Sequence, residues 1–166
     1  MSHRPSRNLA VVCGTLAVMA AAGLGPRPGL TQEAAADAAY ADMQKTLGIV
    51  PGFFREFPQA GIAGAWAEFK TFQLNPNTAL SNKTKELIGI AVAAQIPCHY
   101  CIYFHTAAAK ANGASDEEIR EAVAMAAVVR HWSTVLNGTQ ADFNRFKDDT
   151  DTVLRLAGEK AKSASK

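Results

Sequence analysis

No segment of the chain alternates apolar and polar residues with the period of two that is typical of a half-buried β-strand. Apolar residues recur instead at helical spacing, between residues that favour helix ends. These end signals are N-caps at Thr31 and Ser81, a capping box from Ser115 to Glu118, and the glycines Gly48 and Gly113. The sequence therefore predicts an all-α fold, a helical bundle of about seven helices.

The composition agrees with a globular helical domain. The chain has 166 residues, of which 48% are hydrophobic and 19% charged, which is enough for one domain with a core. Its 17 basic and 15 acidic residues give a net charge of +2, and the basic residues form no run or stripe. We therefore expect no nucleic acid among its partners.

Several helix boundaries can be predicted. We expect one helix to open at Pro58 and run to Leu74, and a last helix to begin near Thr139. The helix that follows Ser81 is apolar all round in its second half, so we expect it at the centre of the domain. The aromatic residues of the following segment are expected to pack; they are Tyr100, Tyr103 and Phe104.

The N-terminus has the pattern of an export signal. Arg4 and Arg7 precede an uncharged apolar run, Leu9–Leu24, and Ala20–Ala22 offers a cleavage site between small residues. The run is shorter than the roughly 20 residues that a membrane-spanning helix needs. We predict a signal peptide over residues 1–22 and a periplasmic or secreted protein with no membrane contact after cleavage, the alternative being an uncleaved anchor.

The remaining boundaries follow from this prediction. Residues 23–30 are expected to be a Pro/Gly linker, 31–160 the folded domain and 161–166 a disordered tail. Cleavage would remove Cys13 and leave two cysteines with none unpaired. In an oxidising compartment such a pair can persist as a disulfide.

Those two cysteines lie in the stretch PCHYCIYFH, in which Cys98 and Cys101 are three apart and His105 follows four later. Successive residues of a helix are separated by about 100°, so the three side chains would project from one face. Cys98 would occupy the first turn, where unpaired backbone N–H groups and the helix dipole favour a thiolate.

Several kinds of site share such a pattern. Haem attachment needs a histidine directly after the second cysteine, where this chain has Ile102. A structural zinc site would need a fourth ligand, such as His99, His131 or a carboxylate. A thioredoxin-type centre needs a βαβ context, and a purely structural disulfide over so short a loop would stabilise little.

A catalytic dithiol is the interpretation that uses all three residues. His105 would accept the thiol proton from Cys101, one turn earlier, and the thiolate would attack a peroxide oxygen to give a sulfenic acid. The second cysteine would then condense with the sulfenic acid to form a disulfide. This chemistry needs no cofactor.

The spacing of Glu86, Cys98, Cys101 and His105 resembles that of the alkylhydroperoxidase (AhpD)-like proteins of the carboxymuconolactone decarboxylase family. The stretch HTAAAKANGASDEEIREAVAMAAVV is similar to the continuation of the same family, and the resemblance covers roughly Gly48–Gly138. It implies an all-helical fold, assembly into homotrimers or homohexamers, and reduction of a hydroperoxide with electrons from a thiol reductant.

The resemblance also implies roles for the residues. Cys101 would attack the peroxide, Cys98 would resolve the sulfenic acid, and His105 and Glu86 would form a proton relay. Some members place a histidine directly before the second cysteine, where this chain has Tyr100, with His99 one position earlier. Two alternatives stay open: a lyase of the same fold that acts on a lactone, whose members generally lack the cysteine pair, and a non-catalytic metal-binding protein.

Overall fold

The computed structural model of the chain describes residues 31–164. The predicted signal peptide, 1–22, and linker, 23–30, lie outside the described residues. The chain divides into two compact units, one ending at Ala60 and the other beginning at Gly61. The predicted single domain over 31–160 stays a prediction.

Within residues 31–60, the first unit contains one α-helix and one short 3₁₀-helix. Helix α1, Gln32–Leu47, begins where the Thr31 hydroxyl accepts a hydrogen bond from the backbone of Ala34 at 3.2 Å. It ends at Gly48, whose φ of 80° is a conformation that glycine adopts without a Cβ clash. The 3₁₀-helix covers Gly52–Glu56. The buried residues of this unit are Ala36, Ala39, Met43 and Phe54.

The second unit contains five α-helices and a π-helix. They are α2 (Ile62–Glu68), the π-helix (Phe69–Leu74), α3 (Asn82–Gln95), α4 (His99–Ala111), α5 (Asp116–Gly138) and α6 (Phe143–Ala164). Residues 31–164 include no β-strand, so the all-α prediction is confirmed, with six α-helices in this range rather than about seven. No helix within the same range is both long enough and apolar enough to span a membrane.

Three boundaries differ from the predicted ones. Helix α2 begins at Ile62 rather than Pro58, because residues 59–61 form a turn, and it becomes a π-helix at Phe69. Helix α6 starts at Phe143, because Gln140, with φ of 52°, interrupts the helical path.

Helix α3 packs against the π-helix, α4 and α5. Near its start, the Lys83 ammonium lies 2.8 Å from the Glu118 carboxylate on α5. This contact, together with the backbone N–H of Ser115, holds the pKa of the Glu118 carboxyl below its ordinary value. Near its end, the Gln95 amide donates to the carbonyl of Ala126 and accepts from the Arg130 guanidinium at 2.7 Å. Helix α3 is thus tied to α5 at both ends.

The expectation that α3 is enclosed by the domain holds for one of its faces. Glu86, Ile90 and Ala93, spaced four and three residues apart, are buried. Ile88 and Val92, on another side of the helix, are about half exposed. The buried face is the one that carries the candidate site.

Candidate functional site

The two cysteines are joined at the start of α4. Cys98 is the N-cap residue of the helix, and its Sγ accepts a hydrogen bond from the backbone N–H of Cys101 at 3.2 Å. Cys98 and Cys101 form a disulfide whose Cα atoms are 5.3 Å apart, and both residues are half-buried. The backbone N–H of Cys98 donates to the carbonyl of Ala93, which fixes the chain between α3 and α4.

The other two predicted residues form a pair between α3 and α4. Oε2 of Glu86 lies 2.8 Å from Nδ1 of His105, and Glu86 is only 3% exposed. An ionised carboxylate only accepts hydrogen bonds, so opposite an ionised Glu86 the Nδ1 atom of His105 is the donor. This is the arrangement in which a carboxylate orients an imidazole that acts as a base.

The buried carboxylate has a second partner that the sequence did not indicate. The side-chain amide of Gln73, on the π-helix, donates to Oε1 of Glu86 at 2.6 Å. Both carboxylate oxygens are therefore hydrogen-bonded, which buried charged groups require.

Gly89 lets the imidazole lie directly against α3. A Cβ atom at this position would be 2.4 Å from Nδ1, 2.5 Å from Cε1 and 2.7 Å from Cγ of His105. Any side chain at position 89 would therefore collide with the ring. Gly89 follows Glu86 by three residues, so the carboxylate and the gap for the imidazole lie on one face of α3.

A row of aromatic rings continues from the imidazole towards α2. The rings of His105 and Phe104 meet edge to face at 5.4 Å, and Phe104 meets Phe69 of the π-helix at 6.0 Å. Phe69 in turn stacks on Trp66, which is buried. Gln73 thus contacts Glu86 directly, whereas Phe69 is linked to His105 only through Phe104.

A surface cavity of about 380 Å³ adjoins this part of the unit. It is lined by Phe72, Gln73, Thr78, Ala79, Leu80 and Lys85. Gln73 is therefore shared: it borders the cavity and contacts the carboxylate of Glu86.

The remaining candidates are not part of this cluster. His99 and His131 are both exposed, and the ring of His131 contacts Trp132. Within residues 31–164, no group of three or more His, Cys, Asp or Glu side chains is placed to hold a metal ion. Tyr100 and Tyr103, which we expected to pack, are 89% and 79% exposed. They are exposed because no element of the described chain covers that side of α4.

The sequence therefore identified four residues that the structure places in two contacting pairs, and it missed Gln73 and Gly89. A glycine inside an apolar helix indicates that another group approaches the helix closely, and Gly89 is such a glycine. Gln73 lies thirteen residues before Glu86 on another element, and no helical spacing relates the two.

Comparisons with known proteins agree with the all-α fold. Residues 60–141 match the model of the carboxymuconolactone decarboxylase family. The crystal structure of the alkylhydroperoxidase AhpD core from Rhodospirillum rubrum matches with a TM-score of 0.57 and 27% identity, over 65% of this chain and 82% of that chain. Uncharacterized protein 4 in the cox locus of Paracoccus denitrificans is 38% identical over 63 residues, which are 38% of this chain and 57% of the relative. This chain therefore aligns with little more than half the length of that relative. The family match over residues 60–141 and the shared fold identify that part of the chain as an AhpD-like all-α region of the carboxymuconolactone decarboxylase family.

Proposed function

We propose that the protein is a thiol-dependent peroxidase, a disulfide oxidoreductase that reduces hydroperoxides through Cys98 and Cys101. The observation that supports it is the disulfide at the start of α4, on the same helix as an imidazole that a buried carboxylate holds. A structural disulfide would need no such pair one turn away. The likeness to the AhpD core supports the same chemistry.

The proposed reaction starts from the reduced dithiol. Nε2 of His105 takes the thiol proton of Cys101, and the thiolate attacks the terminal oxygen of the hydroperoxide. The O–O bond breaks, the leaving alkoxide takes a proton from the imidazolium, and Cys101 becomes a sulfenic acid. Glu86 keeps its hydrogen bond to Nδ1 throughout and stabilises the charged ring.

The second half of the reaction closes the disulfide. Cys98, three residues away, attacks the sulfenic sulfur, hydroxide leaves with a proton as water, and the Cys98–Cys101 bond forms. One hydroperoxide is thereby reduced to an alcohol and water, and two thiols are oxidised. An external dithiol then reduces the disulfide by thiol–disulfide exchange and restores the starting state.

A thiol titration combined with mass spectrometry tests this proposal. We expect one equivalent of hydrogen peroxide to convert the reduced protein to the disulfide, with a loss of two hydrogens in the peptide that contains Cys98 and Cys101. With a dithiol present, the protein should consume hydroperoxide continuously.

Two other results would contradict the proposal and favour the alternatives. Stoichiometric zinc that protects both thiols from alkylation would point to a metal-binding protein. Turnover of a lactone that survives replacement of both cysteines by serine would point to a lyase.

We also propose that the protein assembles with copies of itself, as the family resemblance implies. Support comes from large apolar side chains on α5 and α6 that the described chain leaves exposed. They include Met125, Val129 and Trp132 on α5, and Phe143 and Leu154 on α6.

Light scattering coupled to size-exclusion chromatography measures the assembly. We expect the mass of three or six chains, and a smaller mass for Val129→Lys, because a charge at a buried apolar contact is costly. Lys45→Gln, which changes an exposed polar residue of α1, away from the apolar side chains of α5 and α6 named above, serves as the control. A single-chain mass at all concentrations would contradict the proposal.

A further inference from the structure

The Glu86 carboxylate is held from two sides, and one holder lies outside the cysteine–histidine motif. We propose that Gln73 is a positioning residue: its amide fixes the carboxylate so that Oε2 faces Nδ1 of His105. The kinetic consequence of this inference depends on the proposed peroxidase function, whereas its structural consequence does not.

The hydrogen-bond geometry supports the inference. Gln73 Nε2 lies 2.6 Å from Oε1 of Glu86, and Oε2 lies 2.8 Å from the imidazole. A glutamate side chain rotates about three bonds, so the single contact with His105 leaves the plane of the carboxylate free to turn. A second contact on the other oxygen fixes that plane.

The chemical character of the contact also supports it. The Nε2 group of glutamine only donates, so it matches a carboxylate oxygen that only accepts. Hydrogen bonds to charged groups are shorter and about twice as strong as those between neutral groups. Gln73 therefore favours the form of Glu86 that keeps the proton on Nδ1 of His105.

The element that carries Gln73 is itself unusual. A helix with π geometry is rare, and it occurs frequently at functional sites. Here the π-helix, Phe69–Leu74, supplies both Gln73 to the carboxylate and Phe69 to the aromatic row beside His105. One short segment thus contacts Glu86 directly and packs against Phe104, the neighbour of His105.

Gln73→Met tests the inference, because methionine keeps the length of the side chain and removes the donor. Thr71→Val, an exposed position on the same π-helix, is the matched control. We expect kcat/KM for hydrogen peroxide to fall about tenfold in Gln73→Met, mainly through kcat, since one hydrogen bond to a charged group is lost. The control should keep the wild-type value.

A second variant tests the pH dependence of activity, which would not change if Gln73 had a purely structural role. Gln73→Glu has nearly the same shape but places a second carboxyl against Glu86, and two such groups cannot both stay ionised at this distance. We expect its activity relative to wild type to rise as the pH is lowered, because a shared proton restores a hydrogen bond. A constant activity ratio across pH would contradict positioning by Gln73.

Nitrogen-15 spectra of the histidine rings test the structural part without any turnover. In wild type and Thr71→Val we expect His105 as a single tautomer with the proton on Nδ1, and in Gln73→Met a mixture of tautomers. Unchanged His105 signals in Gln73→Met overturn the inference. A wild-type protein that reduces no peroxide would overturn the proposed function instead, and the spectra would still decide the role of Gln73.

Discussion

Cys101→Ser is expected to reduce hydroperoxide consumption to the rate of the dithiol reductant alone. In the proposed mechanism the substitution removes the sulfur that attacks the peroxide, and a serine hydroxyl forms no sulfenic acid and no disulfide. Helix α4 should still form, because the backbone N–H of residue 101, rather than its side chain, donates to the Cys98 cap. The measurement is peroxide consumption at a fixed dithiol concentration, with circular dichroism to verify that the variant is folded.

Cys98→Ser is the matched control for this prediction. It should keep the first chemical step and lose the second, so one equivalent of peroxide should leave a sulfenic acid on Cys101. Dimedone, which reacts with sulfenic acids, should then add to the peptide at residue 101. Peroxide consumption at the wild-type rate by Cys101→Ser, or a sulfenic acid on Cys98 when Cys101 is present, would show that the roles implied by the family resemblance are wrong.

Gly89→Ala is expected to damage both stability and activity. The new Cβ would stand 2.4 Å from Nδ1 of His105, so either the ring leaves the Glu86 carboxylate or α3 and α4 move apart. Overpacking of this kind typically costs about 1–3 kcal/mol. Loss of the ring's position should also lower kcat/KM about 100-fold, within the range that general acid–base catalysis contributes.

Gly64→Ala on α2 is the control for the glycine substitution. A Cβ at position 64 meets no atom within 4 Å, and alanine favours helix over glycine by about 1 kcal/mol, so this variant should be as stable as wild type or more so. Urea unfolding and peroxide kinetics on both variants make the comparison. Wild-type stability and activity in Gly89→Ala would mean that the imidazole does not lie against α3.

The sequence predicted the helices well because their ends are encoded locally. Thr31, Ser81 and Ser115 each accept the backbone hydrogen bond expected of a cap residue, and Gly48 and Gly113 have the positive φ expected after a helix. Such signals need only three or four neighbouring residues, so no knowledge of the fold is required.

The candidate site was predictable where its residues share a helix or a known spacing. Cys101 and His105 lie on α4 with Cys98 as its N-cap, and Glu86 was found through the family pattern. Gln73 could not be found in this way, because its contact depends on how the π-helix packs against α3. Irregular helices have no reliable sequence signal, and the segment was predicted as ordinary α-helix.

The exposed aromatic residues show a second limit of what the sequence can predict. Tyr100 and Tyr103 were expected to pack because apolar aromatic residues usually do, yet both are largely exposed in the described chain. Helical spacing identifies an apolar face, but it does not distinguish a face buried within the chain from one that another chain could cover.

The buried position of Glu86 links the candidate site to the stability of the core. The residue lies on the buried face of α3, beside Ile90 and Ala93, and a charge there is tolerated only while both of its oxygens are hydrogen-bonded. The proposed chemistry and the stability of the core therefore depend on the same two hydrogen bonds to Glu86. Replacing Glu86 alone by an apolar residue would leave the Gln73 amide and Nδ1 of His105 without their acceptor, so we expect a loss of stability and, under the proposed mechanism, a loss of activity as well.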